Sequence, residues 1–396
     1  MKTITTTSAL AAFCLEAAKR PYVTVDTEFL RERTYYAKLC LVQLAMPREG
    51  DDSAVLVDPL AEGLSLQPLW DLMADKAVVK VFHAARQDLE IFFHDGDVIP
   101  EPLFDTQVAA MVCGFGEQVG YETLVRKIVK QGLDKTSRFT DWSRRPLNDR
   151  QLKYAIGDVT HLSEIFPRML EKLKDTNRGM WINAEMEKLA DPENYVNDPE
   201  QSWKRVKSQG RNLETLGRLK ALAAWREHEA QSKDLPRGRI VRDETLADIA
   251  AHPPRDQSKL GQVRGLSNGW KNNDIGERLM EALGEAEPLP RDDLPQKNNR
   301  RPKNGKENAL VADLLKLLLK IRSAELNVAS RLLARAEDLE RIVAGEREDV
   351  SLLEGWRYEQ FGRDALDLIE GRVSFTVKDG KLKMTHQPEK ESETPK

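Results

Sequence analysis

Cysteine is scarce in this chain, and long apolar runs are missing. The 396 residues hold three cysteines, Cys14, Cys40 and Cys113, widely spaced in apolar surroundings. An odd number at such spacings predicts buried thiols in a reducing compartment and excludes a disulfide framework or a zinc site. No run approaches the roughly 20 apolar residues that a membrane span needs, and an amphipathic helix near 8–19 explains the N-terminal apolar residues better than a signal peptide. We therefore expect a cytoplasmic protein with no membrane partner.

The chain also lacks a P-loop and a net basic charge. No GxxxxGK[ST] occurs, so we expect no nucleotide cofactor. The net charge of −4 argues at first against a nucleic-acid partner, but residues 201–306 carry 22 Lys and Arg against 15 Asp and Glu, a local charge of +7. An acidic part that holds metal ions, followed by a basic part that holds a polyanion, gives this asymmetry, and so does ordinary surface variation.

Residues 1–170 alternate between strand and helix patterns. Strands are predicted at 22–27, 35–46, 54–60 and 77–83, and the first three are linked by short polar turns like an antiparallel meander. A further short strand is predicted to position Asp105. Interleaved helices complete the pattern, which predicts an α/β domain with a mixed sheet.

The rest of the chain has a different character. Helical periodicity dominates, with proline-rich or polar segments between the periodic blocks. The predicted parts are a linking segment at 171–210, a helical domain at 211–284, a linker at 285–306, a second helical domain at 307–372 and a disordered tail at 373–396.

Carboxylates recur at three places in the first domain. YVTVDTEF puts Asp26 and Glu28 two apart at a strand end, on one face. HAARQD puts Asp88 early in a helix, and YAIGD puts Tyr154 and Asp158 one helical turn apart. Each motif alone is more typical of an ordinary surface position.

Taken together, the four carboxylates favour hard divalent cations. Mg²⁺ and Mn²⁺ prefer carboxylate oxygen, and two such ions about 3.5–4 Å apart stabilise both the attacking and the leaving oxygen in phosphodiester cleavage. A calcium loop keeps its ligands within about a dozen residues, which these motifs do not, and glycosidase chemistry needs only two carboxylates.

The three motifs VDTEF, HAARQD and YAIGD, in this order, resemble the exonuclease motifs of the DEDD superfamily. Tyr154, four residues before the last aspartate, marks the tyrosine subtype. The resemblance covers about residues 1–170. It implies a ribonuclease-H-like fold, 3′→5′ exonuclease activity and two divalent metal ions, Mg²⁺ or Mn²⁺.

The resemblance also implies a role for each residue of the motifs. Asp26 would bridge both metals. Glu28 and Asp158 would complete the shell of one metal, and Asp88 would help to hold the second. Tyr154 would orient the attacking water.

Further residues are candidates for nucleic-acid contact. The segment 135–147 places basic residues around an aromatic ring, a composition that suits a single-stranded backbone with a stacked base. For Trp142, core packing is an equally weighted alternative. The candidates in the first domain are Gln43, His83, Gln87, Lys135, Arg138 and Trp142.

Residues 218–250 resemble the HRDC domain, a small helical module, through WRE and LPRGRIVRDETL. Arg237, Arg239 and Arg242 belong to a basic cluster that we expect to contact phosphates, the alternative being a solvated loop. The block at 307–372 resembles a divergent HRDC module by position more than by motif.

A tyrosine-subtype exonuclease followed by two HRDC-like modules resembles the bacterial ribonuclease D family. That resemblance implies trimming of RNA with a single-stranded 3′ end, including tRNA precursors. A helicase-linked exonuclease needs the missing P-loop, and the eukaryotic exosome-associated relatives fit worse. Two alternatives stay open: a DNA 3′→5′ exonuclease, since no residue is visibly a 2′-hydroxyl sensor, and an RNA-binding scaffold with an inactive nuclease.

Overall fold

A three-strand antiparallel meander lies inside a mixed six-stranded sheet. The computed structural model describes residues 2–47, 53–133, 140–207, 212–294 and 305–386. The strands of the sheet are β1 (Lys2–Ile4), β2 (Tyr22–Leu30), β3 (Lys38–Ala45), β4 (Ala54–Val57), β5 (Val79–Phe82) and β6 (Leu103–Asp105). Their order is β1-β4-β3-β2-β5-β6, with β2, β3 and β4 antiparallel and the pairs β1–β4 and β2–β5 parallel. The mixed sheet is confirmed, and β1 is a strand that the sequence analysis missed.

Helices are interleaved with the strands of this sheet. Their bounds are α1 (Thr7–Ala17), α2 (Gln67–Ala74), α3 (Arg86–Gly96), α4 (Thr106–Val112), α5 (Tyr121–Leu124) and α6 (Asp149–Asp175). The short strand β6 does place Asp105, whose side chain accepts the backbone N–H groups of Gln107 and Val108 at the start of α4. Cys14, Cys40 and Cys113 are free and buried, as the sequence predicts.

Two compact units divide the chain, and they do not follow the predicted domain borders. The first comprises Met1–Leu103, Asp134–Ser163 and Leu189–Gln296, and the second comprises Phe104–Leu133, Glu164–Lys188 and Lys297–Lys396. The region predicted as one exonuclease domain therefore contributes to both units. Among the described residues, no helix is both long and apolar enough to cross a membrane.

The helical part of the first unit contains α8 (Leu213–Ser232), α9 (Arg237–Ile240), α10 (Asp243–Ala251) and α11 (Asp274–Gly284). Its core also buries Trp203 and Leu289, and the Leu289 N–H donates to the Leu213 carbonyl at 2.9 Å. The predictions of a linking segment at 171–210 and a linker at 285–306 are therefore wrong at these points. Single large apolar residues inside polar or proline-rich stretches anchor them to the core.

The C-terminal part of the second unit contains α7 (Gly179–Ala190), α12 (Gly305–Leu326), α13 (Ser330–Leu333), α14 (Ala336–Val343), α15 (Gly355–Arg357) and α16 (Arg363–Ile369). The rings of Trp181 and Trp356 stack with centroids 4.4 Å apart. Arg357 forms an ion pair with Glu185 beside them. Helix α7, which lies in the predicted linking segment, is thus packed on the second helical block.

The tail at 373–396 was predicted to be disordered, and for its first part this is wrong. Residues 373–386 form an antiparallel hairpin of β7 (Val373–Lys378) and β8 (Lys381–His386). Asp379 and Gly380 form its turn, both with positive φ, as a tight hairpin requires. The Asp-Gly pair between alternating apolar residues was the signal that the polar composition obscured. Residues 387–396 lie outside the described part of the chain.

Candidate active site

Three carboxylates from two elements converge beside the second half of β2. One oxygen from each of Asp26, Glu28 and Asp158 lies within 4.8 Å of the others. Asp26 and Glu28 are half-buried on β2, and Asp158 is buried on α6. The strand register shifts between Glu28 and Phe29, a bulge of the kind that re-aims side chains next to active sites. The structure thus brings together residues that are 130 positions apart.

Polar side chains hold α6 against the face of β2 that carries these carboxylates. The hydroxyl of Thr24 donates to the carbonyl oxygen of Val159 at 2.9 Å. The hydroxyl of Tyr22 donates to the carbonyl oxygen of Ser163 at 3.0 Å. Tyr22, Thr24 and Asp26 share one face because side chains alternate along a strand. The two bonds hold the helix beside the strand, and the one from Thr24, whose acceptor is next to Asp158, places that residue beside Asp26.

The charges in this cluster repel one another. Burial, followed by the nearby carboxylates of Asp158, Asp88 and Glu28, raises the pKa of Asp26 well above its ordinary value. Full ionisation of the cluster is therefore unfavourable without a cation. Clustered carboxylate oxygens are the donor set that Mg²⁺ and Mn²⁺ prefer, so the residues present fit a divalent metal site.

Asp88 lies near this cluster without belonging to the three-oxygen group. It is 6% exposed in the first turn of α3, and its carboxylate accepts a hydrogen bond from the hydroxyl of Thr27. Thr27 stands between the two carboxylates of β2 and projects to the opposite face of the sheet. Thr27 was not predicted as a site residue, although the strand alternation in DTE already places it on the other face from Asp26 and Glu28.

Tyr154 lies one turn before Asp158 on α6, and its ring packs beside that of Trp142. The two centroids are 6.1 Å apart with the rings tilted by 34°. Trp142 is 2% exposed, in a cluster with Cys40 and Ala155. The prediction that Trp142 stacks on a base is therefore wrong, because a buried indole offers no face to a nucleotide. The packing alternative is what the structure has, and Trp142 supports the ring of Tyr154.

Arg145 ties the segment that carries Trp142 to the sheet. Its guanidinium binds both carboxylate oxygens of Asp58 at 2.6 Å. It also donates to the carbonyl oxygens of Cys40 at 2.7 Å and of Trp142 at 2.8 Å. A bidentate arginine–carboxylate pair is geometrically specific. The sequence placed Arg145 only in a basic segment and gave no sign of this partner.

The other predicted nucleic-acid contacts of the first domain have different exposures. Gln43 is fully buried in β3, so the prediction that it contacts RNA is wrong. His83 is half-buried before α3, and Gln87 is exposed in the first turn of that helix. Lys135 and Arg138 lie outside the described residues.

Among the three arginines of the HRDC-like segment, one is engaged by side chains of the protein itself. The guanidinium of Arg237 binds both carboxylate oxygens of Glu227, at 2.5 and 2.6 Å. It also donates to the hydroxyl of Tyr35 at 3.2 Å and lies over that ring. Arg237 therefore has an internal partner where a phosphate was predicted. Arg239 and Arg242 are exposed.

Tyr35 links the turn after β2 to the helical part of the first unit. Its hydroxyl donates to Glu227, and burial together with this bond raises the pKa of Tyr35 to about 12, so it stays a neutral donor. The backbone N–H groups of Tyr35 and Tyr36 both donate to Asp234 at 3.0 Å. Aromatic residues in a polar turn were the available signal, but their partners lie about 190 residues away and could not be read locally.

Substitution of Arg237 by alanine is expected to destabilise the first unit by about 1.5–3 kcal/mol, because the Glu227 side chain, 1% exposed, loses its charged partner. Despite burial, the bonds from Arg237 and Tyr35 lower the pKa of Glu227. The pair therefore stabilises the fold above the ordinary pKa of glutamate and ceases to do so as the pH falls through the lowered value. Urea unfolding at pH 7 and below pH 4 measures both effects, and the deficit should shrink at the lower pH.

Arg239→Ala is the matched control, since Arg239 lies on the same short helix with its side chain exposed. It should leave stability within about 0.5 kcal/mol of the original. Equal destabilisation by both substitutions would contradict the assignment of Arg237 to an internal contact.

Two family models match the chain. One, described as a 3′-5′ exonuclease, covers residues 1–174, and the other, described as an HRDC domain, covers residues 215–283. The first includes the carboxylate cluster and Tyr154, and the second includes Arg237 and its partner Glu227. The matched ranges thus carry the features that the structure brings together.

Similar proteins extend the likeness along the whole chain. Ribonuclease D of Sphingobium indicum is 60% identical over 96% of this chain and 98% of its own, and ribonuclease D of Zymomonas mobilis is 54% identical over 96% and 97%. The crystal structure of Escherichia coli RNase D, described as an exoribonuclease involved in structured RNA processing, has a TM-score of 0.78 at 29% identity and covers 93% of this chain and 98% of its own. The chain belongs to the ribonuclease D family of 3′–5′ exonucleases.

Proposed function

We propose that this exoribonuclease removes nucleotides from single-stranded 3′ ends of RNA, tRNA precursors among them, and that two divalent ions, Mg²⁺ or Mn²⁺, serve the reaction. Asp26, Glu28, Asp88 and Asp158 would hold the ions. The observation that carries the proposal is the convergence of three carboxylate oxygens within 4.8 Å beside the second half of β2. A bound divalent cation would relieve their mutual repulsion.

The chemistry needs an activated water and a stabilised leaving oxygen. Divalent ions, when bound, acidify water and neutralise the charge that develops on the phosphodiester. The carboxylates of β2 and α6 hold a fixed arrangement because Thr24 of β2 is bonded to Val159, next to Asp158 on α6. The phenol of Tyr154 orients the attacking water by hydrogen bonding, and the divalent ions supply the acidification of that water.

RNA is the proposed substrate because the relatives that match the whole chain are ribonucleases by name. We propose that the helical modules at 211–284 and 307–372 bind the RNA backbone. Arg239 and Arg242, exposed in the first module, are the proposed phosphate contacts, with His83 and Gln87 nearer the nuclease motifs. Buried free thiols suit a cytoplasmic enzyme.

The test uses an RNA labelled at its 5′ end, with a stable hairpin and a single-stranded 3′ tail. The protein is incubated with it in Mg²⁺, Mn²⁺ or EDTA, beside an Asp158→Asn variant. A ladder that shortens from the 3′ end, lost in EDTA and in the variant, is the expected result.

Matched DNA and a binding assay separate the alternatives. Faster shortening of DNA of the same sequence would favour a DNA exonuclease. An intact RNA tail in every lane, with a mobility shift that shows binding, would favour a scaffold without nuclease activity and would overturn the proposal.

A further inference from the structure

A buried glutamine without a partner lies next to the carboxylate cluster. Gln43, in the middle of β3, is 0% exposed, and neither its Nε2 nor its Oε1 has a hydrogen-bond partner among the described residues. Buried polar groups in proteins are nearly always paired. An unpaired carboxamide costs stability, so its presence at a site of this kind calls for a functional reason.

The strand register puts this carboxamide beside Asp26. Gln43 is directly opposite Asp26 on β2 and opposite Leu56 on β4. Residues directly opposite on neighbouring strands point to the same face, with Cβ atoms about 4.5–5.5 Å apart. Helix α6 covers this face, since Leu56 packs in one cluster with Ala155. Gln43 is thus enclosed between strand and helix on the face that carries the carboxylates.

We propose that Gln43 is a positioning residue for the metal site: its Nε2–H donates to the carboxylate of Asp26 when a divalent ion is bound, and so fixes the orientation of that carboxylate. The inference rests on the proposed function, because it needs the metal site described above. Carboxylates that bind metals are themselves held by hydrogen bonds from groups behind them, and loss of such a bond typically weakens metal binding 10–100-fold.

A neutral amide suits this position better than a charged group. A lysine or arginine beside Asp26 would compete with the cation for its negative charge, and a glutamate would add a further like charge to the cluster. Glutamine supplies donors without changing the charge. Because Gln43 is fully buried, it acts on the metal site and does not touch the RNA.

The test replaces Gln43 by methionine, which keeps the length of the side chain and removes both polar atoms. Calorimetric titration of the full-length protein with Mn²⁺, without RNA, should show 10–100-fold weaker binding. The metal-free variant should have a higher Tm than the original, because an unpaired buried amide has been removed. With RNA, kcat at limiting Mn²⁺ should fall while KM for RNA stays unchanged.

Leu56→Met is the matched control, because Leu56 is equally buried on the other side of Gln43 and lies one strand farther from Asp26. It should bind Mn²⁺ like the original protein. A raised Tm with unchanged Mn²⁺ affinity in Gln43→Met would overturn the inference and leave the proposed function standing. Absence of Mn²⁺ binding by the unsubstituted protein would overturn both, so the two failures are distinguishable.

Discussion

Asp26→Asn is expected to abolish exonuclease activity and, at the same time, to stabilise the metal-free protein. If Asp26 binds metal as proposed, its loss removes several kcal/mol of transition-state stabilisation, which corresponds to a rate at least about 10³-fold lower. The stability should rise by about 0.5–2 kcal/mol, the range common for single stabilising substitutions. The reason is that burial and three neighbouring carboxylates already disfavour a charge at this position.

The two effects are measured separately. Single-turnover cleavage of a 3′-tailed RNA gives the rate, and urea unfolding in EDTA gives the stability. Asp71→Asn is the control, because Asp71 is an exposed carboxylate on α2 that accepts a hydrogen bond from a neutral neighbour, Gln67, at 2.8 Å. It should change neither quantity appreciably. A less stable Asp26→Asn protein would show that the carboxylate has a structural partner and would contradict the picture of a repulsive, metal-dependent cluster.

Tyr154→Phe is expected to lower kcat by about 10²–10⁴-fold, the range for loss of a group that acts on the proton of the attacking water. Metal affinity should stay unchanged because the phenol is not among the proposed metal ligands. The fold should also persist, because the ring keeps its packing against Trp142. Single-turnover rates and calorimetric Mn²⁺ titration test both parts.

Tyr22→Phe provides the control for this substitution. It removes a hydroxyl that donates to the Ser163 carbonyl of the same helix at 3.0 Å, away from the carboxylate end of β2. It should cost about 1 kcal/mol of stability and little activity. If Tyr154→Phe instead lost its metal affinity and Tyr22→Phe its activity, the catalytic role of Tyr154 would be wrong and the hydroxyls would serve only to hold α6.

How much could be read from sequence differs from residue to residue for physical reasons. Asp26 and Glu28 were readable because strand alternation places them together, and Tyr154 and Asp158 because one helical turn does the same. The convergence of β2 and α6, which are 130 positions apart, could be predicted only from the family resemblance. No local sequence pattern indicates that α6 packs against β2. The strands of the meander were readable from short apolar runs between polar turns.

The failures share one cause, which is that burial depends on distant partners. Trp142 and Gln43 are residue types common at nucleic-acid contacts. In this fold, however, the sheet and α6 bury both of them. Arg237 looked like a free cation until Glu227 and Tyr35 were placed around it. Leu289 was a lone apolar residue among prolines, and only the α8 core gives it a role.

The interrupted chain order of the first unit has a consequence for biosynthesis. Its segments are separated by insertions that belong to the second unit, so a growing chain cannot complete either unit in order. The carboxylate pair of β2 is translated first, and Asp158 follows much later. Glu227, the partner of Tyr35, is translated later still, 192 residues after Tyr35. Contacts this remote in sequence form late. The nascent chain therefore forms the contact between Tyr35 and Glu227 only after the first part of its HRDC-like segment has been translated.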